Sequence, residues 1–363
     1  MDIKRRRLTN PSIIGFQGEN DFLSNFFPTS ITFGSVQFKS AEQLYQFVKA
    51  SVCEDNTTLE KLSLPMSARQ AKKISHGIRG LNKHWDAVKL FIMMGVLMRK
   101  FSLDPNLRAL LLETGSATLA EDTRDRFWAT GIDRQQINRG VPFLGQNHLG
   151  QLLSQLREYF AGSYSFPLVL FVSDSQGRNV PVDQRVCKIV VPGAKIQTLL
   201  TIASVAYHTG FQYCVVFGGT NNMPVDHRLP LLAADGALQP RKVDAVTRHF
   251  NKGIEKFFFV NPLARLTVCE ILPRFNDCHR LGFRKQSKIQ LAVKNVNKEI
   301  AAITESIAER GYSVDTLKLF SVFNNRDLFR PSRRYASGVD LHISASGAEL
   351  LLRHIIDHTI NSV

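Results

Sequence analysis

Cysteine is scarce in this sequence and carries no pattern. Five residues, Cys53, Cys187, Cys214, Cys269 and Cys278, are scattered over 363 positions without a C-x-x-C pair. That argues against a disulfide framework or a cysteine-built zinc site, and fits reduced thiols in an intracellular protein, cytoplasmic or nuclear. Long hydrophobic runs are missing too. The most apolar stretch, KLFIMMGVLM at 89–98, falls short of the roughly 18–20 residues that span a bilayer, so it reads as a core helix and no membrane partner is expected. No apolar segment follows the basic MDIKRRRLTN at the N-terminus, so no secretory signal is read there. Repeats, low-complexity tracts and a Gly-rich dinucleotide loop are absent, so no bound NAD is indicated and no cofactor is expected. The histidines are dispersed. The closest pair, His354 and His358, has no third ligand on its predicted helix face, so no metal is expected. Nothing in the sequence gives the oligomeric state.

What is abundant is positive charge. The formal net charge is +15, spread over both halves of the chain. It favours acidic partners, such as DNA or RNA or a phosphorylated small molecule, although a merely basic soluble protein would show the same excess. KRRR at 4–7 suits an import patch or a phosphate-binding arm, on only four residues.

The length suits two domains. The chain changes character near EYFAGSYSFP at 158–167. The expected division is a basic tail over 1–13, a domain over 14–160, a linker over 161–166 and a second domain over 167–363. The first domain reads as mainly α-helical α+β. FLSNFFPTSITFGSVQFKS (22–40) is extended with turns at Pro28 and Gly34, and Ser40 with Gln43 has the form of a capping box opening a helix. Further helices are expected at 67–75, 83–101, 105–113 and along GQNHLGQLLSQLREYF (145–160). The second domain alternates strands (167–173, 186–191, 213–218, 266–272, 317–322) with helices (194–206, 240–256, 285–309, 345–358). That rhythm predicts a doubly wound, flavodoxin-like α/β fold, a parallel sheet with helices on both faces and ligands beyond the carboxyl ends of its strands.

In the first domain, polar and aromatic residues stand where simple exposure explains them poorly: Asn25 in FLSNFF, Glu42 with Gln46 and Lys49 in SAEQLYQFVKA, Trp85 in NKHWD, Asp125 and Trp128 in DRFW, and Asn147 in GQNHLG. Both tryptophans of the chain are among them. Cleavage of an N-glycosidic bond needs such parts. A carboxylate stabilises the oxocarbenium-like sugar or orients water. An indole stacks on the leaving base, and a lysine holds a phosphate. A solvated helix face would also account for Glu42, Gln46 and Lys49, and spacing alone does not decide between the two.

The motifs FLSNFFP, SAEQLYQFVKA, NKHWDAVK, LMRKFSLDPNLRALLLETG, LAEDTRDRFWATG and GQNHLGQLL, in that order over residues 14–160, resemble the NADAR family. This family includes N-glycosidases acting on phosphorylated riboflavin-pathway intermediates and relatives that remove ADP-ribose from guanine. The resemblance implies that Glu42 is the catalytic glutamate and that Trp85, Asp125 and Trp128 are pocket residues, acting on a ribosyl phosphate or an ADP-ribosylated substrate. Two departures concern substrate identity. Ser75 and His76 stand where the family has Gly-Arg, with Arg79 as a substitute cation, and Ala129 stands where a Gly usually follows the second tryptophan.

In the second domain, Asp174-Ser175 and Gly219-Thr220-Asn221 each follow an expected strand, while Asp340 and His342 precede the last helix. Ester hydrolysis needs a serine nucleophile, a histidine base and oxyanion donors. Ser175, His342, the Asn221 amide and the Gly193 backbone N–H supply those types, although Ser175 also suits a helix cap and GGTNN a plain turn. SDSQGR, IVVPGA, VVFGGTNN, VCEILPR and DLHISASGAELL resemble the SGNH hydrolase family over residues 166–360. Val339 stands where that family places its acid, with Asp340 one residue nearer to the histidine, and Asn222 replaces an Asp. Three functions therefore remain open: an N-glycosidase-like hydrolase with an SGNH-like companion of uncertain esterase activity, a nucleic-acid-associated or mobile-element-derived binding protein without turnover, and an SGNH esterase with a ligand-sensing first domain.

Overall fold

The fold is seen in a computed structural model that describes residues 13–80, 83–223, 240–273, 283–331 and 339–361. The basic stretch 4–7, Cys278, His227, His279 and the side chains of His84 and Asp340 lie outside the described residues. Chain contacts divide the protein into two units, the first built from most of the residues up to Phe166 and the second from Pro167 onward. No described helix is long and apolar enough to cross a membrane.

In the first unit, β1 (Ile13–Phe16) pairs in parallel with β4 (Thr118–Glu121), and the short hairpin of β2 (Ile31–Phe33) and β3 (Val36–Phe38) turns at Gly34 with a φ of 62°. The helices are α1 (Ala41–Val52), α2 (Asn56–Leu62), α3 (Ala68–Ser75), α4 (Lys83–Leu103), α5 (Pro105–Glu113), α6 (Arg134–Asn138) and α7 (His148–Phe160). The core helix is α4. Its Ile92, Met93, Val96, Leu97 and Phe101 are all buried, as an apolar surface on more than one face requires. Each such side chain stabilises the fold by roughly 1.5–3 kcal/mol relative to its exposed state.

The start of α1 is half the capping box that Ser40 and Gln43 suggest. Ser40 Oγ accepts from Gln43 N at 3.1 Å, but the Gln43 side chain reaches one residue further back, to Lys39 N at 2.8 Å. Its amide also donates to Leu62 O and Leu64 O, tying α1 to the end of α2. The helix therefore has no solvated face at its beginning.

In the second unit, β5 (Val169–Ser173), β6 (Val186–Val190), β7 (Tyr213–Phe217), β8 (Arg265–Cys269) and β9 (Ser313–Leu317) form a parallel sheet in the order β6-β5-β7-β8-β9. The helices α8 (Ile196–Ala206), α9 (Pro240–Val260), α10 (Phe283–Glu309) and α11 (Ala345–Thr359) connect or follow them. This is the doubly wound order expected. Every residue of β5 is buried, as a strand covered on both faces must be. The strand order reverses between β5 and β7, so the carboxyl ends of those two strands frame the crevice where such folds bind ligands.

The last parallel strand corrects the sequence reading. It was expected at 317–322 but runs over Ser313–Leu317, with turns at 320–323. An edge strand is covered less completely, and here the apolar residues after it, Leu319 and Phe323, are the ones buried in the core. Asp340 and His342, expected just before the last helix, lie on β11 (Val339–Ile343), which runs antiparallel to β10 (Phe329–Pro331) and leads into that helix.

Candidate active sites

The polar side of α1 faces inward. Glu42 is 5% exposed and Gln46 is 6% exposed. Gln46 Nε2 donates to Glu42 Oε1 at 2.9 Å, one helical turn away. The backbone N–H of Glu42 donates to the carbonyl of Asn25 at 3.0 Å, so the FLSNFF turn is fixed to the head of α1. Burial pushes the Glu42 carboxyl above the usual carboxylate range, against the pull of Lys72, the Gln46 hydrogen bond and Lys49. Asn25 Oδ1 and Gln46 Oε1 are buried acceptors for which no described residue supplies a donor. Unpaired buried acceptors cost free energy, and a ligand hydroxyl or a water is the kind of group that satisfies them.

The aromatic residues assemble around Tyr45, the neighbour of the inward-facing side of α1. Its ring lies 5.2 Å from Trp85 and 5.7 Å from Trp128, centroid to centroid, the latter edge-on. Lys49 Nζ lies 6.0 Å from the centre of the Trp85 ring. Trp128 in turn packs edge-on against Phe127, and Lys89 sits over Phe127 at 3.8 Å. Trp85 is buried and Trp128 half-buried.

Asp125 is exposed, and its Oδ1 accepts from Phe127 N at 2.8 Å and Trp128 N at 2.7 Å. In this position it shapes the turn that presents Trp128. Asn147 is buried with a left-handed φ of 52°, and its amide is committed to the backbone of β4. Nδ2 donates to Leu119 O at 2.8 Å, and Oδ1 accepts from Glu121 N at 3.1 Å. Gly150 permits this closeness, because a Cβ there would lie 2.0 Å from Leu119 O. Asn147 thus holds the strand rather than pointing into open space.

Two residues that the sequence reading passed over belong here. Glu121, the last residue of β4, interacts electrostatically with Glu42, Asp125, Asp122 and Lys72, and burial first, then the three carboxylates, push it up to about 7. Lys72 on α3 is the cation that acts on both Glu42 and Glu121. Arg79 does not take that place. Its backbone N–H donates to Asp55, and its charge acts on Asp55. A carboxylate closing a strand, within a few residues of Asp125 and Trp128, was the available signal for Glu121.

A buried lysine supports the turn carrying Asn25. Lys100, 1% exposed, donates to Phe22 O and Ser24 O, both at 2.7 Å. Burial lowers its pKa to about 7, against the opposing pull of Asp21.

In the second unit, Ser175 begins a single 3-10 turn after β5, and its Oγ lies 3.1 Å from His342 Nε2. Gly177 lets the turn sit tightly on the strand, since a Cβ there would lie 2.3 Å from Ser173 Oγ. Asn179 in the same turn donates to Ile343 O at 3.1 Å and accepts from Arg330 at 2.7 Å, which ties the turn to the strand bearing His342. Asn221 is half-buried; its Nδ2 donates to Asp174 Oδ2 at 3.2 Å and to Ala194 O at 3.0 Å, so both amide hydrogens are accepted within the protein. Gly193 lies in the turn beside Ala194 with a φ of 82°. Asn222 accepts from Ile196 N at 2.7 Å, fixing the start of α8. Asp174 is fully buried, and burial pushes it up to about 7 despite a hydrogen bond from Gln176 N. Among the described residues, no group of three His, Cys, Asp or Glu side chains is placed to hold a metal. His358 pairs with Asp315 at 2.9 Å.

Comparison with known proteins places residues 15–161 in the NADAR domain family. The chain is 31% identical over 169 residues to the N-glycosidase YbiA of Escherichia coli, a match covering 44% of this chain and 98% of that protein. It is 29% identical over 178 residues to a riboflavin biosynthesis protein of Vibrio vulnificus, covering 48% of this chain and 45% of that longer protein. Among solved structures, a member of the lipolytic G-D-S-L family from Veillonella parvula aligns over 54% of this chain and 98% of its own, at 14% identity and a TM-score of 0.36.

Proposed function

This chain belongs to the NADAR family, and on that premise we propose that its first unit hydrolyses the N-glycosidic bond between a base and a ribosyl phosphate or ADP-ribose, ADP-ribosylated guanine being one such substrate. The observation that carries the reading is Glu42: a buried carboxylate hydrogen-bonded to Gln46, acted on by Lys72 and Lys49, on the helix whose Tyr45 packs against both tryptophans.

The chemistry follows from that arrangement. As the C1′–N bond breaks, positive charge grows on the sugar, and a carboxylate in a low-dielectric pocket stabilises it more than one in water does. The same carboxylate is suited to accept a proton from the attacking water. The two lysines and the Gln46 amide favour its ionised form and so oppose the penalty of burial. Trp85 and Trp128 offer apolar faces for the base, and Lys49 and Lys72 offer cations for phosphate. The chain's net charge of +15 is in keeping with a polyanionic substrate such as modified DNA or RNA.

The test is a substrate panel. The full chain is incubated separately with ADP-ribosylated guanosine, ADP-ribosylated DNA and riboflavin-pathway ribosyl phosphates, and mass spectrometry reads the freed sugar and base. Release of base with a hydroxyl-terminated sugar from at least one substrate supports the reading. Intact substrates throughout would rule it out.

For the second unit we propose a serine-hydrolase reading, carried by the 3.1 Å approach of His342 Nε2 to Ser175 Oγ. A histidine in hydrogen-bond reach of a serine at a strand's carboxyl end is the nucleophile–base pair that ester cleavage needs. The committed amide of Asn221 is the feature that opposes it, since an oxyanion donor has to be free for substrate.

A further inference from the structure

We propose that Asn179 is the positioning residue for the Ser175–His342 pair, with Arg330 holding its amide in the orientation this requires. The proposal rests on the serine-hydrolase reading of the second unit and adds how the base is kept in reach of its nucleophile.

Ser175 and Asn179 are the two ends of one five-residue 3-10 turn. Ser175 Oγ lies 3.1 Å from His342 Nε2. Asn179 Nδ2 donates to the carbonyl of Ile343, the residue after that histidine, also at 3.1 Å. The turn therefore meets β11 at both of its ends, on two adjacent residues. The turn is also fixed internally. Gln176 N donates to Asp174 Oδ1 and Gly177 N to Ser173 Oγ, both at 2.9 Å, and Val180 N closes on Gly177 O at 3.2 Å. A shift of β11 against Asn179 thus becomes a shift of His342 against Ser175.

The strand is held at the same place from its other side. Ile343 is fully buried and pairs with Phe329 of β10, and Ser344 N donates to Leu328 O at 2.8 Å. His342 itself is half-buried, and its neighbours supply the anchor.

Arg330 decides which way the amide points. Its Nη2 donates to Asn179 Oδ1 at 2.7 Å. A guanidinium only donates, so the amide oxygen faces it and the amide NH2 faces the Ile343 carbonyl. The exchanged amide would set donor against donor and acceptor against acceptor. Arg330 stands on β10, so one side-chain amide joins the serine's turn to both strands of the β10–β11 pair.

A histidine takes a serine proton only within hydrogen-bond reach, and a misplacement of about 1 Å costs up to about 100-fold in rate. The Asn179 side chain bonds to neither Ser175 nor His342, so it acts on the reaction through their separation.

The experiment uses the full chain and a fluorophosphonate probe. In labelling, Ser175 Oγ bonds to phosphorus, its proton passes to His342 Nε2, and fluoride leaves. Asn179→Ala and Asn179→Asp are compared with the wild type. The aspartate keeps an acceptor for Arg330, and with it the scaffold, but removes the donor to Ile343. Both variants should lower the saturating labelling rate by about 10-fold or more, with the half-saturating probe concentration kept. In a His342→Ala background the same substitutions should change the rate by less than about 2-fold, because the base they position is gone. A wild-type rate in Asn179→Asp, or an equal further loss without the histidine, overturns the proposal.

The second arm needs no reaction. The ring nitrogens of 15N-labelled His342, identified as the signals lost in His342→Ala, should move in Ser175→Ala and move alike in Asn179→Asp. Signals that Asn179→Asp leaves at their wild-type positions overturn the proposal too. If the wild type takes no label, it is the hydrolase reading that fails, and the ring signals still decide whether Asn179 sets the contact.

Discussion

Gln46 Nε2 lies 2.9 Å from Glu42 Oε1, and the same amide's oxygen, buried, finds no donor among the described residues. One half of this side chain supports the carboxylate and the other half is left for a ligand. Replacing Gln46 by Glu exchanges a supporting hydrogen for a like charge. The Glu42 carboxyl, already raised, should rise further, and base release should fall by about 10-fold or more at neutral pH, with the acid limb of the pH–rate profile moved to higher pH. An unchanged profile would mean that Gln46 does not tune Glu42.

Tyr45 packs against the only two tryptophans of the chain, at 5.2 and 5.7 Å. Indole fluorescence therefore reports the first unit alone. Tyr45→Ala should destabilise that unit by about 3–5 kcal/mol, the usual cost of deleting a buried ring, and should red-shift the emission at low denaturant. Tyr45→Phe, which keeps the ring against both indoles, should cost clearly less than Tyr45→Ala. A large loss in Tyr45→Phe would move the emphasis from ring packing to the hydroxyl.

Lys100 donates to two carbonyls in the turn that carries Asn25. Lys100→Met takes that donor from Phe22 O and leaves Ser24 O with Phe27 N alone, at a cost of about 1–3 kcal/mol. The sign of the pH effect follows from its folded pKa of about 7, below the 10.5 of the unfolded chain. Between those values the unfolded chain holds more protons, so this group's contribution to stability rises with pH across the window. Denaturant midpoints at pH 7 and pH 9 check it: the wild type should gain more on going up than Lys100→Met does.

The Ser175–His342 pair gives a prediction independent of the first unit. A serine-directed organophosphorus probe should label Ser175, and His342→Ala should slow labelling by about 100-fold. Mass spectrometry of the tryptic peptide reads both. Labelling absent in the wild type, with the fold intact, assigns this crevice a binding role.

Much of the scaffold was legible in the sequence where local chemistry decides it. Ser40 marked the start of α1, Asp104-Pro105 opens α5 at the expected place, and β5 and β7 were visible as β-branched runs because both their faces are buried. The misplaced β9 shows the limit. An edge strand with alternating exposure looks less like a strand than the apolar run that follows it into the core. The short helix α2, NTTLEKL, was invisible because it buries only Thr58 and Leu62. The parallel pairing of β1 with β4 joins segments about a hundred residues apart, and nothing local announces it.

The candidate site was legible in its residue types but not in their tasks. Glu42 and the tryptophans stand out in the sequence because a carboxylate and indoles recur together. That Asn147 holds β4, that Asp125 shapes the Trp128 turn, and that Lys72 rather than Arg79 acts on Glu42 depend on which backbone groups meet across the fold.

The most direct measurement compares wild type and Glu42→Gln in single-turnover release of base from ADP-ribosylated guanosine or a ribosyl phosphate, with enzyme in excess and both proteins matched in denaturation midpoint. The account predicts release by the wild type and a loss of at least about 100-fold in the variant, with substrate binding retained. Equal rates for the two proteins would contradict it.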